Sequence, residues 1–179
     1  MTLSITHRRT LVIAACGYIL WQMTGQANHY LAPARLYIWL GGLLVTFAGL
    51  RLPAQEGFNA CFLIGLLVDA GSPVPFGTHA FLFGIAQLVL VRLRHRFAAD
   101  ETMVAVTVAL LTNLALLLVL AFFRLGNAPD ASSTGLRLLM DLVISQSVLA
   151  LLGPWYFALQ LRALEYAGAG LRLEAAEPI

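Results

Sequence analysis

The sequence predicts an all-α membrane protein, a single domain over residues 1–179 with six transmembrane helices, and three observations support this prediction. First, 60% of the residues are hydrophobic and 11% are charged, with a mean hydropathy of +0.82. A soluble domain of this length cannot bury so much apolar surface. Second, charges and helix breakers divide the chain into six apolar segments. Third, the arginines alternate between the connections as the positive-inside rule expects. This composition excludes nucleic-acid binding as a main role, a disulfide-rich secreted scaffold and a disordered linker.

The first three segments are bounded by charged or helix-breaking residues. The first follows Arg8 and Arg9. The second ends before Arg51 and Pro53, and the third ends at a turn rich in proline and glycine. Each is shorter than the roughly 20 residues that a helix needs to cross a hydrocarbon core. We therefore expect polar flanks, helix tilt or local thinning of the bilayer to contribute to these crossings.

The last three segments differ in length. The fourth ends at Arg92 and is also short, whereas the fifth contains no charged residue and the sixth ends at Arg162. The fifth and sixth are long enough to cross the membrane without help. The six predicted segments cover approximately residues 11–23, 36–50, 58–70, 78–91, 102–123 and 138–161.

The distribution of arginine predicts the orientation, because cytoplasmic connections of membrane proteins carry an excess of positive charge. A cytoplasmic N-terminus places eight arginines on the inner side and three on the outer side. The inner set is Arg8, Arg9, Arg51, Arg92, Arg94, Arg96, Arg162 and Arg172, and the outer set is Arg35, Arg124 and Arg137. We therefore predict that both termini are cytoplasmic in a multi-pass membrane protein.

Two acidic residues stand at the ends of apolar segments, where ionisable groups are costly. Asp69 closes the third segment and Asp141 lies one turn into the sixth, so both are expected toward the outer face. Arg137 precedes Asp141 by four positions and can reach it along one helix face. These residues are interpreted either as a polar site near the outer leaflet or as an interfacial charge and a structural ion pair.

The connection between the third and fourth segments has the least usual sequence. Cys61, Gly65 and Asp69 are spaced four apart, which puts two small residues and the acid on one helix face. A turn containing Pro75 and Gly77 follows, and it forces irregular backbone. We expect a packed turn in which Asp69 accepts hydrogen bonds from nearby turn amides. A tight extracellular hairpin, with Asp69 as an ordinary C-terminal residue, is the alternative.

A second face of small residues lies on the fifth segment, where Ala105, Ala109 and Asn113 repeat every four positions. Packing between helices is the expected role of this face. No nucleophile with a base, phosphate-binding loop or carboxylate pair at catalytic spacing is evident in the sequence. The histidines and cysteines do not have metal-ligand spacing. We therefore expect no enzymatic activity, no cofactor and no metal site.

The stretch around the turn resembles a known family. A segment ending Gly-Leu-x-x-Asp, then a short turn and Gly-x-His-Ala at the start of the next helix, is similar to MreD, the small membrane subunit of the bacterial rod-shape machinery. The matching residues are Gly65, Leu66, Asp69, Gly77, His79 and Ala80. The resemblance extends through the fourth segment into the basic 92–96 stretch and the fifth helix. Pro73 and Pro75 depart from the pattern.

The resemblance implies a six-helix fold similar to the substrate-binding subunits of energy-coupling-factor transporters, with no enzymatic activity. It implies association with MreC and, through MreC, with MreB filaments, RodA and a class B penicillin-binding transpeptidase. The chain would then help to position or activate side-wall peptidoglycan synthesis. The small-residue faces of the third and fifth segments are the candidates for docking a partner helix.

Two other functions compete with this scaffold role. One is a transport subunit that binds a vitamin-like molecule at its outer side, with Asp69, Asp141 and Arg137 forming the pocket; such pockets need several convergent polar or aromatic groups. The other is a membrane enzyme that acts on a lipid-linked precursor, for which clustered acids or metal ligands would be expected.

Overall fold

The computed structural model describes residues 4–72, 74–96, 101–126 and 131–171, with the side chains of 124–126 and 131–133 left out. Over these ranges the chain is helical and contains no strand, which confirms the all-α prediction. Six α-helices follow one another: α1 (Ile5–Leu31), α2 (Gly41–Arg51), α3 (Ala54–Ala70), α4 (Thr78–Leu93), α5 (Thr102–Gly126) and α6 (Ala131–Tyr166). Short 3₁₀ turns follow α1 and α4, at Ala32–Ala34 and Arg94–Arg96.

Most helices extend beyond the apolar segments that predict them. Helix α1 has 27 residues and α6 has 36, because the backbone hydrogen-bond ladder continues through the polar residues that flank each apolar run. Within the described residues, Thr102–Phe123 and Thr134–Tyr166 are long and apolar enough to cross a membrane by their own length and composition.

The second apolar segment is not one helix. Residues 36–40 have no helical structure, and α2 begins only at Gly41. Leu40, directly before α2, has φ of −119° and ψ of 31°, so the helix starts after a non-helical residue. The helical part of this segment therefore begins five residues later than the sequence predicts.

Helix α2 is the centre of the bundle. Residues 41–50 are all buried, and α2 packs against α3, α4, α5 and α6. Glycine allows the closest of these approaches, since a Cβ at Gly42 would lie 2.6 Å from Asn113 Cβ and one at Gly49 would lie 2.6 Å from Leu90 Cβ. Helix α2, whose residues 41–50 are all buried, therefore starts inside the bundle, beside Asn113 in the middle of α5.

The two ends of the described chain meet at one end of the bundle. The Arg9 guanidinium donates hydrogen bonds of 3.0 Å to the carbonyls of Ala169 and Gly170. The same guanidinium lies 3.6 Å from Glu56, at the start of α3. Asp69 closes the opposite end of α3, so it lies away from the chain termini.

Candidate functional site

The face of α3 that carries Cys61, Gly65 and Asp69 packs against α4. A Cβ at Gly65 would lie 2.6 Å from the Ala80 backbone nitrogen, so only glycine permits this approach. One turn away, Cys61 Sγ lies 3.8 Å from Gln87 Oε1. The spacing of four residues thus produces the close contact between α3 and α4 that holds the turn between them.

The Asp69 carboxylate caps the start of α4. Oδ2 accepts hydrogen bonds from the Gly77 amide (3.0 Å) and the Ala80 amide (3.1 Å), and Oδ1 accepts one from the His79 amide (3.0 Å). The first amides of a helix have no partner within it, and a negative charge there also complements the helix dipole. Asp69 is 4% exposed. The expectation that Asp69 accepts hydrogen bonds from turn amides is confirmed.

His79 completes this arrangement, which we name the Asp69 cap (Gly65, Asp69, Gly77, His79 and Ala80). Its Nδ1 lies 2.8 Å from Asp69 Oδ1, and its ring stands edge-on to Phe83. His79 is 4% exposed. The histidine therefore holds the carboxylate against the helix start, a pairing across ten residues that the sequence alone did not predict.

The turn itself is only partly packed. Gly77 precedes α4 with φ of 98°, in the left-handed region that favours glycine. Ser72 donates a hydrogen bond to the Val68 carbonyl, and Thr78 donates one to the Pro75 carbonyl. Pro75 is nevertheless exposed. The expected packed turn is thus anchored at its two ends, while its tip lies at the surface.

A second set of polar side chains surrounds the non-helical residues 36–40, whose amides have no partner within a helix. The Tyr37 amide donates to Asp141 Oδ1 at 2.9 Å, and the Trp39 amide donates to Ser145 Oγ at 3.0 Å. Asp141 and Ser145 lie one turn apart on α6 and are both buried. Asp141 and Ser145 therefore accept hydrogen bonds from two amides of the non-helical stretch, those of Tyr37 and Trp39.

Helices α1 and α5 satisfy further backbone groups of the same region. Asn28 exchanges two hydrogen bonds with Ile38, accepting from its amide at 2.7 Å and donating to its carbonyl at 2.8 Å. Asn113 Oδ1 accepts a hydrogen bond of 2.9 Å from the Gly42 amide, at the start of α2. The four side chains Asn28, Asn113, Asp141 and Ser145 thus form what we name the second-segment support. Irregular backbone at membrane depth needs such partners.

The expected ion pair between Arg137 and Asp141 does not form. Arg137 is exposed. Both residues lie in the described part of the chain, and no ion pair joins their side chains there. The carboxylate instead turns toward the Tyr37 amide. Asp69 binds amides at the start of α4, whereas Asp141 binds the Tyr37 amide and lines a cavity to which neither Asp69 nor Arg137 contributes.

The small-residue faces are occupied within the chain. Ala105, Ala109 and Asn113 are buried on α5, where Ala109 and Asn113 pack against Gly42 of α2, and the Gly65 face of α3 is covered by α4. Within the described residues these faces pack against helices of the same chain, and their role in docking a partner helix stays a prediction.

The cavity beside Asp141 is small. It measures about 20 Å³ and is lined by Tyr37, Trp39 and Ser145, with side chains of α5 and α6. Such a volume holds about one water molecule. Sites for drug-sized ligands occupy roughly 300–1,000 Å³.

The sequence singles out Asp69, Asp141 and Asn113 as polar residues of the apolar segments. It does not predict the hydrogen bonds that Asn28 and Ser145 make with residues 38 and 39. The signal available was an apolar segment too short to cross as a helix, with isolated polar residues in the segments around it. Comparison with protein-family models, curated proteins and solved structures finds no match to the chain.

Proposed function

We propose that the chain is a non-enzymatic scaffold subunit of the bacterial cell-elongation complex, similar to MreD. In this proposal it crosses the inner membrane six times, with both termini in the cytoplasm. It binds MreC directly and, through MreC, associates with MreB, RodA and a class B penicillin-binding transpeptidase. Its contribution is to position or activate side-wall peptidoglycan synthesis.

The outer surface of the bundle supports a membrane setting. Large apolar side chains face outward on several helices, among them Phe81, Phe122, Leu151 and Trp155, each at least 67% exposed. Soluble monomers rarely expose large continuous apolar patches. The amides of Tyr37, Ile38 and Trp39, in the non-helical stretch before α2, bind side chains of α1 and α6, as irregular backbone in lipid requires.

The positions of the chain ends support an even number of crossings. Arg9 of α1 binds the carbonyls of Ala169 and Gly170 after α6, so α1 begins where the chain leaves α6. The excess of arginine at this end favours the cytoplasm as its location.

The observation that carries the proposal is the Asp69 cap. Five of the six residues that match the MreD pattern, all except Leu66, are separated in sequence but meet in one unit: a close approach of Gly65 to Ala80, a carboxylate cap at Asp69, a left-handed Gly77 and a paired His79. Each of these five residue types therefore has a physical reason at its position. This interdependence supports the resemblance beyond the short match of letters.

The geometry favours the scaffold over a vitamin-binding subunit. Neither Asp69 nor Arg137 lines the cavity beside Asp141, which holds about one water molecule. A vitamin needs a much larger site with convergent polar groups.

Affinity purification in mild detergent tests the proposal. The wild-type chain is expected to recover a protein with one membrane span, a coiled coil and a β-rich periplasmic part, as MreC has. The Asp69→Asn variant should recover less of it than Asp141→Asn, since the latter keeps its single backbone hydrogen bond. Recovery of the chain without such a partner, or with a tightly bound vitamin, would contradict the scaffold role.

A further inference from the structure

A long apolar groove separates α4 from α5 on the outer surface of the bundle. It runs from Leu82 to Leu93 on α4 and from Val119 back to Val108 on α5, with a volume of about 340 Å³. Thr112 is the one polar residue in its lining. The two helices follow each other in sequence but make few contacts along this length.

We propose that this groove binds one acyl chain of an anionic phospholipid whose phosphate is held by Arg92 and Arg96. The inference rests on the membrane placement in the proposed function, although not on the identity of the protein partner. It adds a specific lipid site to a protein for which only helix contacts have been argued.

The dimensions of the groove fit a hydrocarbon chain. Leu93 lies eleven positions after Leu82 on α4, so the groove is roughly 16 Å long at 1.5 Å per residue. An apolar cavity of about 150 Å³ holds benzene. On that scale, 340 Å³ holds roughly 14 carbon atoms, about one acyl chain. A helix is about 10–12 Å wide with its side chains and would not enter a groove of this cross-section.

The charged end of α4 fits the headgroup. Arg92 precedes Leu93, the last groove-lining residue of α4, and Arg96 ends the 3₁₀ turn that follows it. Arg92 and Arg96 are exposed, whereas Arg94 is half-buried and donates a hydrogen bond of 2.9 Å to the Leu52 carbonyl. Glu101, which is also exposed, directly precedes α5. A phosphate next to two exposed guanidinium groups gains charge-assisted hydrogen bonds.

Native mass spectrometry of the full chain tests the proposal, after reconstitution in nanodiscs of phosphatidylglycerol or of phosphatidylcholine and release from them. The wild type is expected to retain one phosphatidylglycerol and at least tenfold less phosphatidylcholine. Ala115→Trp fills the groove and should abolish retention, and the double change Arg92→Gln with Arg96→Gln should remove the preference for the anionic lipid. Leu151→Trp and Arg162→Gln, which alter exposed positions on α6, should behave as the wild type does.

Retention of both lipids to the same extent by the wild type would overturn the headgroup assignment. Unchanged retention by Ala115→Trp would overturn the groove. Crosslinking from a cysteine at position 115 to a protein helix, in place of lipid, would overturn the occupant. Specific retention by a chain that recovers no MreC-like partner would support the lipid site while contradicting the scaffold role, so the two proposals fail separately.

Discussion

Replacing Asp69 with asparagine removes one of the two oxygens that cap α4. Oδ2 accepts two backbone hydrogen bonds, and Oδ1 accepts one and faces His79 Nδ1. If the amide nitrogen takes the Oδ2 position, the Gly77 and Ala80 amides lose their acceptor; if it takes the Oδ1 position, the His79 amide loses its acceptor and the contact with His79 Nδ1 changes its donor and acceptor. Both groups are buried, so water cannot replace what is lost.

The expected cost follows from those two contacts. A hydrogen bond to a charged group contributes about 1.5–3 kcal/mol. Loss of two hydrogen bonds to the carboxylate is therefore expected to lower the free energy of unfolding of Asp69→Asn by about 3–5 kcal/mol. Asp141→Asn is the matched control because Asp141 is equally buried, at 6% exposed, and Oδ1 alone accepts a hydrogen bond. Its amide oxygen can keep that bond, so the loss should stay below about 1.5 kcal/mol.

Unfolding in mixed micelles of mild detergent and sodium dodecyl sulfate, followed by circular dichroism, measures both variants under the same conditions. The account predicts a large shift of the transition for Asp69→Asn and a small one for Asp141→Asn. Equal shifts, or a change below 1 kcal/mol for Asp69→Asn, would refute the view that the carboxylate holds α4 through several bonds at once.

The remaining substitutions test the close helix contacts and the start of α2. Gly65→Ala should destabilise the chain by about 2 kcal/mol or more, since the added Cβ meets the backbone of Ala80, which cannot move away as a side chain would. Gly25→Ala, where a Cβ meets no atom within 4 Å, should leave the yield of monodisperse protein in size-exclusion chromatography unchanged. Asn113→Ala should cost about 1–3 kcal/mol in the same unfolding assay, because the buried Gly42 amide loses its acceptor; an unchanged transition would show that this amide does not need Asn113.

Composition and the spacing of small residues predict a large part of this structure. The apolar segments indicate where the helices lie, and Cys61, Gly65 and Asp69 do face α4 together. Proline and glycine around position 75 correctly indicate the turn. These features are local, since helix periodicity alone determines which residues share a face.

The break in the second segment could not be predicted in the same way. Residues 36–40 are as apolar as a helix would be, and their non-helical conformation depends on acceptors that come from two other helices, α1 and α6. Asn28, Asp141 and Ser145 are distant in sequence from the amides they bind. The same limit applies to the small-residue faces, because periodicity identifies a packing face without indicating which helix covers it.

Fluorescent and enzymatic reporters fused to each end of the chain provide the most direct test of the central claim, that six crossings return the chain to the side from which it starts. The account predicts a cytoplasmic location for both the N-terminal and the C-terminal reporter. Opposite locations would contradict it, because an odd number of crossings would then separate the two ends of the chain.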